Sequence, residues 1–408
     1  MTARSDYKFI GFATLLLLML AGLWLGAALF GRPRLQAQSG SCPVANKIDE
    51  TLPSGGRWQL CWEARDQEGI VLHDIFYTTP TGVTRKVLRQ AGLAQIQVSR
   101  DDGSAPTQVL TELGLGGDHL LTLEVADCTD GTLLAQNGQS VLCQRSGPRG
   151  YGYKYFTVQQ QSYSMTLYAV SHVVDPDLGD KSYIVQWEFM DNGIIDFAVG
   201  ESGRLTQFGS DAQYGWPVGE DSANPIAVGY TNNYFWRLDF DLGDNGGNEI
   251  VEEFAVNPTV SNTQRATSVI RFDSEAARPL DPSTKRSWRI RDASLTNSDG
   301  HAISYHLEPM NISYRYEGPA SEAWNQNDFY VTRYNECERF AVQNNPANGC
   351  GANLGDFVNG ESIDSQDLVI WYRVGFHRLP RAEDAPYLQT HWDGFSIYPR
   401  DWTAQNTR

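Results

Sequence analysis

The chain has 408 residues, of which 41% are hydrophobic and 20% are charged, and this balance excludes a wholly disordered protein. The 32 basic and 49 acidic residues give a formal net charge of −17. So acidic a surface repels phosphate backbones, which argues against nucleic acid as a partner. A content of 12% aromatic residues with 38 glycines and 18 prolines favours strands and turns over a helical bundle.

An uninterrupted apolar run over residues 9–30 follows a short N-terminal tail, residues 1–8. At 1.5 Å per residue the run is about 33 Å long, enough to span a bilayer, whereas a cleaved signal peptide usually has an apolar core of about 7–15 residues. We therefore predict an uncleaved transmembrane helix, with cleavage near residues 35–37 as the alternative. All six cysteines follow the run, and an even number of cysteines is typical of an oxidising compartment. The remaining chain is expected outside the cytoplasm, at the cell surface or, after cleavage, secreted.

The rest of the sequence predicts one domain. Residues 31–57 are predicted to be a polar linker, and residues 58–403 contain repeated runs of alternating apolar residues with turn signals between them, such as 163–173 and 183–189. Long amphipathic helical patterns are scarce. This pattern predicts a mostly β fold, a large antiparallel β-sandwich with few helices.

Generic catalytic motifs are absent from the sequence: it has no phosphate loop, no nucleophile elbow and no HExxH zinc motif. An acidic cluster, Asp239, Asp241, Asp244 and Glu249, is more informative. Alternate residues of a strand point to the same face, so Asp239 and Asp241 could hold Ca²⁺ together with the carbonyl of Phe240. A solvated acidic turn is the alternative.

An aromatic stripe, Tyr151, Tyr153, Tyr155 and Phe156, allows two interpretations. The first is packing at the edge of a sheet, which is the ordinary role of such residues. The second is a surface that binds a glycan or another polymer.

Several separated blocks, in the correct order, resemble the catalytic domain of copper amine oxidases between Trp58 and Trp402. The strongest are E-x-G-L-G at 112–116, W-x-F at 187–189, R-L-D-x-D at 237–241, R-S-W at 286–288 and the block at 380–386. The resemblance implies the large β-sandwich of that family, a homodimer, and oxidation of primary amines by copper and a topaquinone made from a tyrosine.

The residues that this chemistry requires are all replaced at the matching positions. The quinone-forming tyrosine corresponds to Lys181, and the three copper histidines correspond to Tyr230, Asn232 and Arg378. The general base corresponds to Val109. A lysine has no ring to oxidise and a guanidinium does not bind copper. The resemblance therefore implies a catalytically inactive relative without copper or topaquinone, whose former metal pocket is filled by a hydrogen-bonded plug and in which Lys181 pairs with a carboxylate.

Two enzymatic alternatives stay open. The chain is an active primary-amine oxidase if the motif alignment is wrong, or the pocket runs another reaction in which Lys181 forms a Schiff base. Otherwise a binding or structural role is expected, with the ligand unknown.

The resemblance also implies a peripheral Ca²⁺ site. It adds Asp367 and the carbonyl of Leu368 to Asp239, Phe240 and Asp241. A further match implies one disulfide, and proximity in sequence suggests two more; the expected pairs are Cys128–Cys143, Cys42–Cys61 and Cys337–Cys350. A glycosylation sequon begins at Asn311.

Overall fold

A computed structural model describes residues 42–218, 226–243, 246–259, 263–309, 316–346 and 349–405. The predicted transmembrane segment at 9–30, Asp244 and the sequon at Asn311 lie outside these residues. Within the described ranges, no helix is long and apolar enough to cross a membrane.

The described residues form strands joined by short helical turns. The helical segments are α1 (Leu354–Phe357), a π-helical turn (Val109–Leu113) and 3₁₀ turns at Val44–Asn46, Gly117–His119, Val125–Cys128, Ala212–Tyr214, Ala323–Asn325 and Ala382–Asp384. The strands are β1 (Lys47–Thr51), β2 (Arg57–Arg65), β3 (Gly69–Thr78), β4 (Thr84–Arg100), β5 (Thr107–Gln108), β6 (Thr132–Gln136), β7 (Gln139–Tyr155), β8 (Val158–Asp175), β9 (Gly179–Met190), β10 (Ile195–Arg204), β11 (Phe208–Gly209), β12 (Gly215–Pro217), β13 (Ile226–Val228), β14 (Tyr230–Gly243), β15 (Glu249–Pro258), β16 (Arg265–Arg271), β17 (Ala276–Arg278), β18 (Ser287–Thr296), β19 (Ala302–Glu308), β20 (Phe329–Arg333), β21 (Leu368–Arg378) and β22 (Tyr387–Arg400).

Two large antiparallel sheets hold most of these strands. The first sheet has the order β1-β2-β3-β4-β14-β21-β20-β17, with β5 paired to β4, and the second has the order β16-β15-β18-β19-β22-β10-β9-β8-β7-β6. A small third sheet contains β11, β13 and β12. The predicted mostly β, antiparallel architecture is confirmed.

The main core lies between the two large sheets. Strand β9 alternates buried and half-buried residues, and its inward face contributes Trp187, which contacts Trp236 of β14 edge to face with ring centroids 6.0 Å apart. Strand β14 is buried on both faces because it is central in the first sheet. Its second face, with Phe235, packs in a smaller cluster that includes Trp371. These two faces of β14 carry the two sites described below.

The ordered domain begins before the predicted boundary at residue 58. Strand β1 pairs with β2 along its whole length, and its Ile48 is buried in the main core. The disulfide Cys42–Cys61 fixes the chain just before this strand. The other two expected disulfides, Cys128–Cys143 and Cys337–Cys350, are also present.

The aromatic stripe lies at the tip of the long hairpin formed by β7 and β8. Tyr151, Tyr153, Tyr155 and Phe156 are all exposed, Phe156 at 81%. Packing at a sheet edge is therefore the wrong interpretation of these residues within one chain. Phe156 also has a positive φ of 48°, a conformation that disfavours bulky side chains.

Candidate functional site

The positions that matched the quinone and copper motifs lie together between the two sheets. Lys181 is on the inward face of β9, in line with Tyr183. Tyr230 and Asn232 share one face of β14, and Arg378 of the neighbouring strand β21 pairs directly with Tyr230. Sequence motifs separated by almost 200 residues are thus brought to one place by strand pairing alone.

Lys181 is held by two buried partners. Its Nζ lies 2.7 Å from Oε1 of Glu201 and 2.6 Å from the hydroxyl of Tyr230, and that hydroxyl donates to the same Glu201 oxygen at 2.9 Å. The side chain of Lys181 is 4% exposed and that of Glu201 is 0% exposed. Burial lowers the pKa of Lys181 from its ordinary value, while the charge of Glu201 opposes this change.

Arg378, on strand β21 of the first sheet, pairs with the same glutamate. Its Nη2 lies 3.1 Å from the second oxygen of Glu201, and its Nη1 lies 3.5 Å from Oδ1 of the buried Asp384. We call Lys181, Glu201, Tyr230, Arg378 and Asp384 the Lys181 network. It places two cations against two carboxylates, so the charges are internally balanced.

Sequence reasoning missed Glu201. Strand β10 presents Ile195, Phe197 and Val199 to the core, and Glu201 is the next inward position, directly opposite Tyr183 of β9. A carboxylate at a core position of an alternating strand was the available signal, since charges there are almost never left unpaired.

Further polar groups surround the network. Asn232, Tyr183 and Tyr234 are buried, and their side-chain polar atoms make no hydrogen bond to any described residue. Burial raises the pKa of both tyrosines well above the ordinary value. Val109, at the position of the general base, is a fully buried apolar residue in the π-helical turn.

These residues do not fit a copper ion. The side chains at the three positions that match copper histidines are a phenol, an amide and a guanidinium, and a guanidinium offers no lone pair to a metal. The ammonium of Lys181 contacts Tyr230, so a divalent cation there would face positive charge. The cavity beside Lys181 measures about 10 Å³, about the space of one water.

The expected calcium ligands lie on the opposite, outer face of β14. We call Asp239, Asp241, Glu249 and Asp367 the acidic pocket. One oxygen each of Asp239, Asp241 and Glu249 is buried without a hydrogen bond to any described residue. Burial raises the pKa of Asp239 to about 6 and that of Glu249 to about 8. Unpartnered buried carboxylate oxygens fit a hard cation.

Three side-chain cations already contact this pocket, and one of them, the buried Arg237, has Nη1 3.5 Å from Oδ2 of Asp239. The guanidinium of Arg89 lies 3.0 Å from Oδ2 of both Asp239 and Asp367, and Nζ of Lys86 lies 2.8 Å from Oδ2 of Asp241. In the described ranges, no three of the four carboxylates bring one oxygen each within 4.8 Å of one another. The calcium site stays a prediction.

The described residues contain one compact group of potential metal ligands, formed by Cys61, His73 and Asp74. Cys61 is bonded to Cys42, so its sulfur is not available as a thiolate. Asp74 also pairs with Lys86 at 2.9 Å. This group therefore does not form a metal site.

A sequence model of the copper amine oxidase enzyme domain matches residues 176–408. The chain belongs to the copper amine oxidase family. Among curated relatives, "Primary amine oxidase" of Arthrobacter sp. (strain P1) is 25% identical over 377 residues, covering 83% of this chain and 57% of the relative. "Primary amine oxidase 1" of Arabidopsis thaliana is 28% identical over 260 residues, covering 55% of this chain and 38% of the relative.

Solved structures of copper amine oxidases share the fold. The copper-containing benzylamine oxidase from Hansenula polymorpha superimposes with a TM-score of 0.72 at 18% identity, over 89% of this chain and 60% of that one. The Aspergillus nidulans amine oxidase gives 0.70 at 19% identity, over 92% and 56%. This copper amine oxidase domain thus spans a little over half the length of such relatives.

Proposed function

We propose that this chain is a membrane-anchored, extracytoplasmic copper amine oxidase domain that no longer oxidises amines and that has a binding or structural role. The Lys181 network is the observation that carries the proposal. Where the family resemblance places a redox ring and a metal, this chain has a buried ammonium paired with a carboxylate at 2.7 Å.

The size of the cavity supports the loss of activity. About 10 Å³ beside Lys181 leaves no room for an amine substrate, whose binding sites usually enclose hundreds of cubic ångströms. The same lack of space argues against a Schiff base between Lys181 and a carbonyl substrate. Tyr230 and Glu201 fill the volume in front of the ammonium.

A binding role is supported by the hairpin tip. Three of its rings, those of Tyr151, Tyr155 and Phe156, are at least 65% exposed, and exposed aromatic patches of this kind mark contact surfaces. We infer a homodimer as in the family resemblance, with this tip as the first candidate for the contact. The tip is equally the first place to look for the unknown ligand.

The extracytoplasmic location is supported by the sulfur chemistry. All six cysteines are paired in three disulfides, and such pairing is typical of oxidising compartments. The apolar run at residues 9–30 supplies the proposed anchor.

We also propose that the acidic pocket binds a calcium ion. When bound, the ion would be held by Asp239, Asp241 and Asp367 with the carbonyls of Phe240 and Leu368. It would join β14 to the start of β21 and so contribute to stability rather than to chemistry.

Peroxide release and quinone staining test the loss of activity. The full-length chain, purified from cells supplied with copper, is incubated with methylamine, benzylamine and histamine in air, and phenylhydrazine is used to titrate any quinone. We expect no hydrogen peroxide and no hydrazone absorption. Peroxide release that phenylhydrazine abolishes would instead establish an active primary-amine oxidase. Release that phenylhydrazine leaves intact but Lys181→Ala abolishes would establish chemistry at the lysine.

A further inference from the structure

Arg89 reaches the acidic pocket because of an irregularity in strand β4. In the pairing of β14 with β4, Asp239 lies opposite Gln90 and Phe240 lies opposite Leu88, so Arg89 is an extra residue without a partner in the ladder. A β-bulge of this kind redirects a side chain. Here it directs the guanidinium between two carboxylates.

The contacts of Arg89 use the oxygens that a bound cation would need. Its Nε and Nη2 both donate to Oδ2 of Asp239, at 3.1 and 3.0 Å, and Nη2 also lies 3.0 Å from Oδ2 of Asp367. The ring of Tyr334 covers the guanidinium, with its centroid 3.9 Å away. Arg89 thus links the same two segments, β14 and the start of β21, that a calcium ion would link.

We propose, resting on the calcium site of the proposed function, that Arg89 competes with calcium for the carboxylates of the acidic pocket and leaves them when the ion binds. Ca²⁺ needs six to eight oxygen ligands, and a guanidinium held against Oδ2 of both Asp239 and Asp367 places a positive charge next to the ion. The cost of displacing Arg89 therefore lowers the affinity of the pocket for Ca²⁺, while the buried Arg237, 3.5 Å from the same oxygen of Asp239, stays in place.

The geometry allows this exchange. The side chain of Arg89 is 35% exposed, so it can rotate into solvent without unpacking the core. Lys86 is less exposed, at 16%, and contacts only Asp241 among the pocket carboxylates. Displacement of Arg89 removes a cation from two ligands at once, whereas displacement of Lys86 removes one from Asp241 alone.

Calcium titrations of matched variants test the competition. Full-length protein in detergent is titrated with CaCl₂ by isothermal calorimetry and by thermal shift, with MgCl₂ as the comparison ion. The variants are Arg89→Ala, Arg89→Lys and Arg65→Ala. Arg65 is the control because it is a similarly half-buried arginine of the same sheet that pairs with Glu63 and Glu68, and its loss changes the net charge equally.

We expect Arg89→Ala to bind Ca²⁺ at least about tenfold more tightly than the wild type, a difference of about 1.4 kcal/mol. Arg89→Lys should lie between the two, because it keeps the charge but loses the bidentate contact, and it carries the test if Arg89→Ala misfolds. Arg65→Ala should bind Ca²⁺ within about threefold of the wild type. Equal affinities for wild type and both Arg89 variants would overturn the competition and leave the calcium site standing, whereas no calcium binding by any of them would overturn the calcium site and the competition with it.

Discussion

Glu201 is the residue on which the Lys181 network depends, and Glu201→Gln is the most informative change. The glutamine keeps the shape and an acceptor oxygen for Lys181 and Tyr230 but removes the only carboxylate within 3 Å of the buried ammonium in the described structure. Removing one partner of a buried pair typically costs about 3–5 kcal/mol because the other charge is left uncompensated. Lys181 can instead release its proton, which costs about 5 kcal/mol at pH 7 for an ordinary lysine. This cost is the upper limit of the stability loss at that pH.

The cost of deprotonating Lys181 makes the stability loss of Glu201→Gln depend on pH. In the variant, folding requires a neutral Lys181, while the unfolded chain keeps it charged below about pH 10. The unfolded state therefore binds more protons, and the variant gains stability as pH rises. We expect a loss of about 3–5 kcal/mol at pH 7 that shrinks to about 2 kcal/mol at pH 9.

Urea unfolding followed by tryptophan fluorescence measures this loss. Lys181→Met should cost less than Glu201→Gln, because Glu201 then keeps Arg378 at 3.1 Å and Tyr230 at 2.9 Å. Adding Lys181→Met to Glu201→Gln should recover stability. Asp49→Asn, which breaks the exposed pair of Asp49 with Arg57, is the control and should cost about 0–1 kcal/mol. The reasoning is refuted if Glu201→Gln costs no more than this control, or if its cost is the same at pH 7 and pH 9.

Three further outcomes follow from the structure. Burial raises the pKa of Asp393 from 3.8 to about 6, so its contribution to stability is present below about pH 4 and is lost as pH rises to about 6. The urea midpoint of Asp393→Asn should therefore change less with pH over this interval than that of the wild type, and equal changes would contradict the assignment. Histidines at Tyr230, Asn232 and Arg378, combined with Lys181→Met to remove the ammonium that would face the ion, should give a chain that retains copper after dialysis, since strand pairing already places the three positions together. Failure of the folded variant to bind copper would show that the pocket has moved. Phe156→Ser should reduce the dimer fraction in light scattering without changing the urea midpoint, because the ring is exposed within one chain; an unchanged dimer fraction would remove the tip from the interface.

The sequence was sufficient for the fold because its signals were local and repeated. Alternation of apolar residues predicted strands such as β9, and the ordered motif blocks identified the family. The same motifs located Lys181, Tyr230, Asn232 and Arg378, which the structure brings together. The pairing of distant strands that joins them could not be read from the residues themselves.

The partners that neutralise these residues were not predictable in the same way. Glu201 belongs to no motif, and only the register of β10 against β9, which places it opposite Tyr183, brings its carboxylate within reach of Lys181. Arg89 reaches the acidic pocket through a bulge, which shifts side-chain direction without a clear sequence signal. The early start of the domain at β1 depends on a hairpin with β2, from Thr51 opposite Arg57 to Lys47 opposite Cys61, in a segment whose polar composition predicted a linker. Local sequence patterns therefore identified the positions of the site, and only the tertiary contacts showed which residues neutralise them.

The copper content of the full-length chain tests the central claim most directly. The protein is produced in an oxidising compartment with copper and calcium both supplied, dialysed without chelator, and analysed by plasma mass spectrometry. The Lys181 network predicts far less than one copper per chain, because the three former ligand positions carry a phenol, an amide and a guanidinium. Close to one copper per chain, retained on dialysis, would contradict it.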